Sequence, residues 1–107
     1  MKIAMIGGSG FVGTRLIGLL GEDPQKYQCS NIDLLPSHFF NDITTIGDVR
    51  DQRQMDSLLK GADAVVLLAA QHRDDVSPTS LYYDTNVGGM EVTLRAMERN
   101  GISRIIF

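Results

Sequence analysis

The sequence predicts an α/β domain whose parallel sheet is doubly wound in the strand order 3-2-1-4-5. Three observations predict it. Apolar segments of strand length alternate with segments of helical period along all 107 residues. Two of the strand segments, residues 2–7 and 64–70, are apolar on both faces, as central parallel strands covered by helices on each side must be. A glycine-rich turn at residues 7–13 then joins the first strand to the first helix with no loop between them. Right-handed crossovers leave few arrangements, and the layout fits a sheet that switches direction between its first and fourth strands.

Each element has its own signals. After the first strand, residues 11–20 form a helix with Val12, Leu16, Leu19 and Leu20 at helical spacing, ended by Gly21, Asp23 and Pro24. The second strand covers residues 28–34 and closes on Asp33. Residues 36–42 are a loop under which Phe39 and Phe40 are expected to pack. A short strand at Thr44–Ile46 leads into Gly47-Asp48-Val49-Arg50-Asp51, where Asp51 is placed to cap a helix that turns Met55, Leu58 and Leu59 inward. Gly61 stops that helix, and residues 64–70 make the strongest strand. A polar loop at 71–79 precedes a long helix from about Ser80 to Asn100, with an apolar stripe of Tyr83, Val87, Met90, Leu94 and Met97. Gly101 sits at the C′ position, and residues 102–107 open a fifth strand at which the sequence stops.

Composition limits the classes of function. The chain is 43% hydrophobic and 21% charged, as in ordinary globular domains, and is long enough for one core. A formal charge of −3, with ten scattered Lys and Arg residues, argues against a nucleic-acid partner. No apolar run approaches the roughly twenty residues that span a bilayer. The first strand begins within two residues of Met1, leaving no room for a signal peptide. Cys29 has no cysteine to pair with and is expected to be a small buried residue. The expected location is cytoplasmic. His38 and His72 lack further ligands at metal-binding spacing, so no metal is expected. Arg73, Asp74 and Asp75 are expected in a solvated loop, and Tyr82 and Tyr83 as packing residues.

The glycine turn carries the first chemical inference. Gly7 lets the chain leave the strand sharply, Gly10 lets a pyrophosphate approach the backbone, and Gly13 lets the helix lie close to the sheet. The helix then aims its unpaired N–H groups and positive dipole end at the phosphates. Asp33, twenty residues beyond Gly13, stands where a carboxylate would accept from adenosine ribose hydroxyls. The glycine turn, Asp33, Asp48 and residues 69–72 all fall on the carboxyl edge of the predicted sheet. A dinucleotide site is expected there.

At this point the chain resembles the N-terminal Rossmann portion of an extended short-chain dehydrogenase/reductase, and within that group the NAD-dependent sugar-nucleotide epimerases and dehydratases. Gly7-Gly8-Ser9-Gly10-Phe11-Val12-Gly13 is similar to the group's glycine loop. Gly47-Asp48-Val49-Arg50-Asp51 resembles its adenine-binding segment, and Leu68-Ala69-Ala70 the small-residue end of strand four. Tyr83-x-x-Asn86-Val87-x-Gly89 resembles the start of the long helix beside the active site. The resemblance implies that Gly7, Gly10 and Gly13, with backbone groups of Phe11 and Val12, cradle the pyrophosphate. It implies that Asp33 binds the adenosine ribose, and that Asp48 and the Val49 amide bind adenine. Leu68, Ala69 and Ala70 would run along the nicotinamide ribose, and Asn86 would position the long helix. The Asp33 charge would repel a 2′-phosphate, so the implied cofactor is NAD.

The family's Ser/Thr and Tyr-x-x-x-Lys lie after the fifth strand, and none of Tyr27, Tyr82 and Tyr83 has a lysine four residues on. No catalytic residue is therefore expected within these 107 residues. The expected function is the NAD-binding portion, residues 1–107, of a nucleotide-sugar epimerase or dehydratase, cut from a longer chain at the fifth strand. Its apolar Ile105, Ile106 and Phe107 would form an uncovered edge favouring homo-oligomers. Two alternatives stay open: a non-catalytic dinucleotide sensor, and a reductase of the same fold acting on a non-sugar alcohol.

Overall fold

A computed structural model describes residues 1–69 and 84–107. Its strands are β1 (Lys2–Ile6), β2 (Gln28–Asp33), β3 (Thr44–Ile46), β4 (Ala64–Leu67) and β5 (Ile105–Ile106); its helices are α1 (Phe11–Leu20), α2 (Gln52–Leu58) and α3 (Gly89–Arg99). A 3₁₀ turn at Asn41–Ile43 precedes β3, and a π-helical turn at Asp84–Gly88 runs into α3. All strand pairs are parallel, in the order β3-β2-β1-β4-β5, as the sequence predicts. Ile6 of β1 stands beside Ile32 on one side and Leu67 on the other, so three strands reach the carboxyl edge together.

Each face of the sheet has its own apolar layer. On one, Ala4, Ile6, Ile32, Val65 and Leu67 meet Met55 and Leu59 from α2 and Ala96 and Met97 from α3. On the other, Ile3, Met5 and Val66 meet Ile17 of α1, with Leu16, Leu20 and Phe40 packed at the margin. Alternate residues of β1 therefore serve opposite cores, which is why this strand is apolar throughout. Asp51 caps α2 as expected, accepting from Gln54 N–H at 3.2 Å, a contact worth about 1 kcal/mol. Gly101 takes a φ of +68°, where the chain leaves α3.

Two helical faces differ from the sequence expectation. On α1 the inward residues are Gly13, Leu16, Ile17 and Leu20, while Val12 and Leu19 are exposed. The close seating of Gly13 against Gly8 turns the helix so that Leu16 and Leu20 stay inward while Gly13 and Ile17 take the places expected for Val12 and Leu19. On α3 the buried residues are Gly89, Thr93, Ala96 and Met97; Val87 and Leu94 are exposed. The wider π-helical turn shifts the helical phase between Val87 and the residues that follow, whereas Leu94 lies within α3, whose buried face is set by Gly89, Thr93, Ala96 and Met97. Small side chains then bring α3 close: a Cβ on Gly89 would lie 3.1 Å from Val49 Cγ1. The start of the expected long helix, with Tyr82 and Tyr83, lies outside the described residues.

Smaller departures have local reasons. Strands β2, β4 and β5 are each shorter than expected, ending where their ladder pairing ends. Phe40 packs beneath the β2–β3 loop but Phe39 is exposed. Cys29 is half-buried rather than buried, and that burial pushes its thiol pKa up. Between α2 and α3, Gln52 Nε2 donates to Asp56 Oδ1 at 2.8 Å and to Val92 O at 3.1 Å, and Arg99 pairs with Asp56. Among the described residues no helix is long and apolar enough to cross a membrane, and no cluster of metal-ligating side chains occurs.

Candidate nucleotide-binding cleft

Where β1 ends, the chain must turn within one residue because β4 is already against it. Leu68 N–H and Ala69 N–H both donate to Ile6 O, at 2.7 and 3.0 Å. A Cβ on Gly7 would stand 2.4 Å from Ala69 N, and the residue has a φ of +83°. Only glycine meets both conditions. Gly7 N–H donates in turn to Ile32 O at 2.7 Å, which ties the turn to β2.

The remaining glycines divide into packed and open positions. A Cβ on Gly13 would lie 2.4 Å from Gly8 Cα. The close approach that the sequence suggested between helix and sheet is thus between α1 and the turn itself. Gly8, given no role from sequence, is as confined: its Cβ would meet Asn31 Oδ1 at 2.4 Å. Gly10 is the opposite case, with nothing within 4 Å of its Cβ position. It is also the N-cap of α1, extended and without any capping side chain. The first helical bond closes from Thr14 N–H to Gly10 O at 2.9 Å, so the opening turn of α1 presents uncapped amides. Phe11 and Val12 hold those amides with their side chains turned to solvent, 82% and 62% exposed.

Asp33 closes β2 beside this turn. Its Oδ2 accepts from Ser9 N–H at 2.9 Å and its Oδ1 from Leu35 N–H at 3.0 Å. Both oxygens keep a further lone pair. Asp48 follows β3, held by Gly47 N–H to Asp33 O at 2.9 Å and by its own N–H to Gln54 Oε1 at 2.9 Å. The Arg50 guanidinium grips its carboxylate, with Nη2 2.7 Å from Oδ2 and Nε 3.0 Å from Oδ1. Those hydrogen bonds hold the Asp48 carboxyl below its ordinary pKa of 3.8.

These segments enclose a cleft of about 580 Å³ at the carboxyl edge of the sheet, at the switch point where such sheets take ligands. Gly7, Gly10, Asp33, Asp48, Val49, Leu68 and Ala69 line it together with Ser9, His38 and the apolar Leu34, Leu35 and Pro36. Gly13, Phe11, Val12 and Asn86, the last on the π-helical turn, are not among the residues that line it. Ala70, His72 and residues 73–75 lie outside the described residues. Sequence reasoning missed Ser9, Arg50 and above all Asn31. A polar residue one place before the buried Ile32, in a strand needed by both cores, is the signal that could have found Asn31.

Fold and cleft define the class: a Rossmann-type domain with its glycine turn at the switch point of a 3-2-1-4-5 sheet. A model of the NAD dependent epimerase/dehydratase family matches residues 3–107. The chain belongs to that family, whose cofactor is NAD. The N-acetyl-alpha-D-glucosaminyl-diphospho-ditrans,octacis-undecaprenol 4-epimerase of Escherichia coli O157:H7 is 57% identical over 106 residues, covering 99% of this chain and 31% of that protein. The UDP-glucose 4-epimerase of Halalkalibacterium halodurans is 27% identical over 113 residues, covering 100% of this chain and 34% of its own. Among solved structures, UDP-glucose 4-epimerase from Brucella ovis in complex with NAD is 27% identical and superposes with a TM-score of 0.85, over 99% of this chain and 34% of that one. The chain spans about a third of the length of the curated relatives it matches.

The contrast between Gly10 and Gly13 is open to test. Gly13→Ala forces backbone against backbone and is expected to lower stability by about 1–3 kcal/mol. Gly10→Ala meets open space and should change stability by less than about 1 kcal/mol, both read by urea denaturation. Arg50 gives a pH test. The folded pKa of Asp48 is depressed, so the Arg50 contribution is present above the unfolded value of 3.8 and is lost as pH falls through the folded one. The stability gap between wild type and Arg50→Ala should stay level from about pH 7 to 5 and narrow below 3.8.

Proposed function

We propose that residues 1–107 form the NAD-binding portion of an epimerase/dehydratase-type oxidoreductase acting on a sugar activated by a diphosphate. The observation that carries this is the meeting of the glycine turn, Asp33, Asp48–Val49 and Leu68–Ala69 around one cleft. In this reading the uncapped amides at Phe11 and Val12, with Gly7, Gly10 and Gly13, take the pyrophosphate. The open space at Gly10 and the uncapped start of α1 fit such a group. Asp33 uses its remaining lone pairs for the adenosine ribose hydroxyls. Asp48, fixed by Arg50, and the Val49 amide face the adenine edge. Leu68, Ala69 and Ala70 lie along the nicotinamide ribose, and Asn86 sets the long helix beside the reaction centre.

When bound, NAD supplies the acceptor that takes a hydride from a sugar carbon and returns it. The residues of this chain bind and orient it. Leu34, Leu35 and Pro36 would give the adenosine end an apolar wall.

The identity pattern favours one substrate class within this reading. The relative at 57% identity is named for a sugar carried on a diphospho-undecaprenol, whereas the UDP-glucose 4-epimerases stand at 27% and 29%. A lipid-linked sugar diphosphate is thus preferred to a nucleotide sugar.

Calorimetric titration of NAD and NADP into the purified protein tests the cofactor site. NAD is expected to bind more tightly than NADP, and Asp33→Ala should weaken NAD by about 10–100-fold and narrow the preference. Equal affinities in the wild type would remove Asp33 from the ribose. For the substrate, in a longer enzyme that carries these residues as its NAD-binding portion, epimerisation of undecaprenyl-diphosphate-linked N-acetylglucosamine should exceed that of UDP-N-acetylglucosamine by about tenfold or more. The reverse order would restore the nucleotide sugar.

A further inference from the structure

One buried side chain joins the glycine turn to the wall that follows β2. Asn31 is 1% exposed. Its Oδ1 accepts from Gly8 N–H at 2.8 Å, and its Nδ2 donates to Ser9 Oγ at 3.1 Å and to Thr44 Oγ1 at 3.0 Å. An asparagine amide carries two N–H donors, and both are engaged. The two hydroxyls have committed their protons elsewhere: Ser9 Oγ donates to Leu35 O at 2.8 Å, and Thr44 Oγ1 to Phe40 O at 2.7 Å. Each hydroxyl therefore turns a lone pair toward Asn31. The bonds run in one direction, from Gly8 N–H through the amide and the hydroxyls to carbonyls of the β2–β3 loop, and bonds so aligned strengthen one another.

The same loop is tied to Asp33. Ser9 N–H and Leu35 N–H donate to its two oxygens, while the Ser9 hydroxyl donates to Leu35 O. Ser9 and Leu35 thus close a ring of bonds around the carboxylate. We propose that Asn31, acting through Ser9, is a positioning residue for the cofactor. It latches the glycine turn to the β2–β3 wall, so that the phosphate cradle and the ribose acceptor keep one geometry. The proposal rests on the NAD reading above. The asparagine amide supplies the one acceptor and two donors that this pattern uses. Leucine would leave the buried Gly8 N–H without a partner, and an aspartate would set its oxygens against the lone pairs of two hydroxyls.

The test compares wild type, Ser9→Ala, Asn31→Leu and the double variant. NAD titration, thermal melting and amide hydrogen exchange of the free protein are measured for each. Ser9→Ala cuts two bonds of the latch outside the apolar core; it should weaken NAD by about threefold to tenfold while the melting temperature moves little. Asn31→Leu should weaken NAD by about tenfold or more and speed exchange at Gly8 and position 9 relative to β1 and β4. Ser9→Ala should add no further loss in the Asn31→Leu background. If Asn31→Leu does not fold, Ser9→Ala decides the matter. Unchanged NAD affinity in Ser9→Ala, or additive losses in the double variant, overturns the latch. If the wild type binds no NAD, the cofactor reading falls instead, and exchange alone judges the latch: faster exchange at Gly8 in Ser9→Ala upholds it and unchanged exchange overturns it.

Discussion

The carboxyl edge of this sheet depends on the contact between Gly7 and Ala69. Ile6 O accepts two N–H groups from the end of β4, which draws the two strands so close that no side chain fits at residue 7. A parallel sheet normally lets its strands diverge into separate loops at this edge. Here β1 and β4 stay together one residue longer, and the glycine turn must rise over them. The cleft owes its floor to that crowding, and the opening turn of α1 owes its direction to it.

The polar interactions divide the molecule in a way the apolar cores do not. The cores are assembled around β1 and β4, one on each face. One set of side-chain hydrogen bonds joins α2 to α3; another lies on the β2 side, where Asn31, Asp33, Thr44 and Asp48 fasten the turn and loops of the rim. This follows from the cost of burying polar groups: such groups are tolerated only where each finds a partner. Hydrophobic burial sets the stacking of layers, and the directional bonds set the shape of the rim. Arg50 shows the same division, since its hold on Asp48 shapes the rim and adds nothing to either core.

Much of the architecture was legible because it rests on period and punctuation. Both-faced apolar strands, the glycine turn and the Asp51 cap are local signals, and the strand order follows from crossover handedness. The helix faces were less legible, for identifiable reasons. A stripe at steps of three and four presumes a uniform helix, and the π-helical turn at Asp84–Gly88 breaks that uniformity before Gly89. On α1 the contact of Gly13 with Gly8 fixes the rotation, and a tertiary contact leaves no period in the sequence. At the cleft, Asp33 and Asp48 could be seen as strand-end carboxylates. Asn31 could not be placed, because its importance lies in three partners that stand 23, 22 and 13 residues from it along the chain.

The bonds to Asp33 have one more consequence. A carboxylate on a free side chain samples several rotamers, and a ligand that binds it must freeze them, at about 0.5–1.5 kcal/mol for an immobilised side chain. Asp33 is already frozen by Ser9 and Leu35. Its unused lone pairs point in fixed directions before any ligand arrives. A partner with two neighbouring hydroxyls at the matching angle meets a rigid template, and one without them gains nothing from adjustment. In the NAD reading proposed above, selectivity at this position would thus be set by the orientation of the carboxylate rather than acquired through closure.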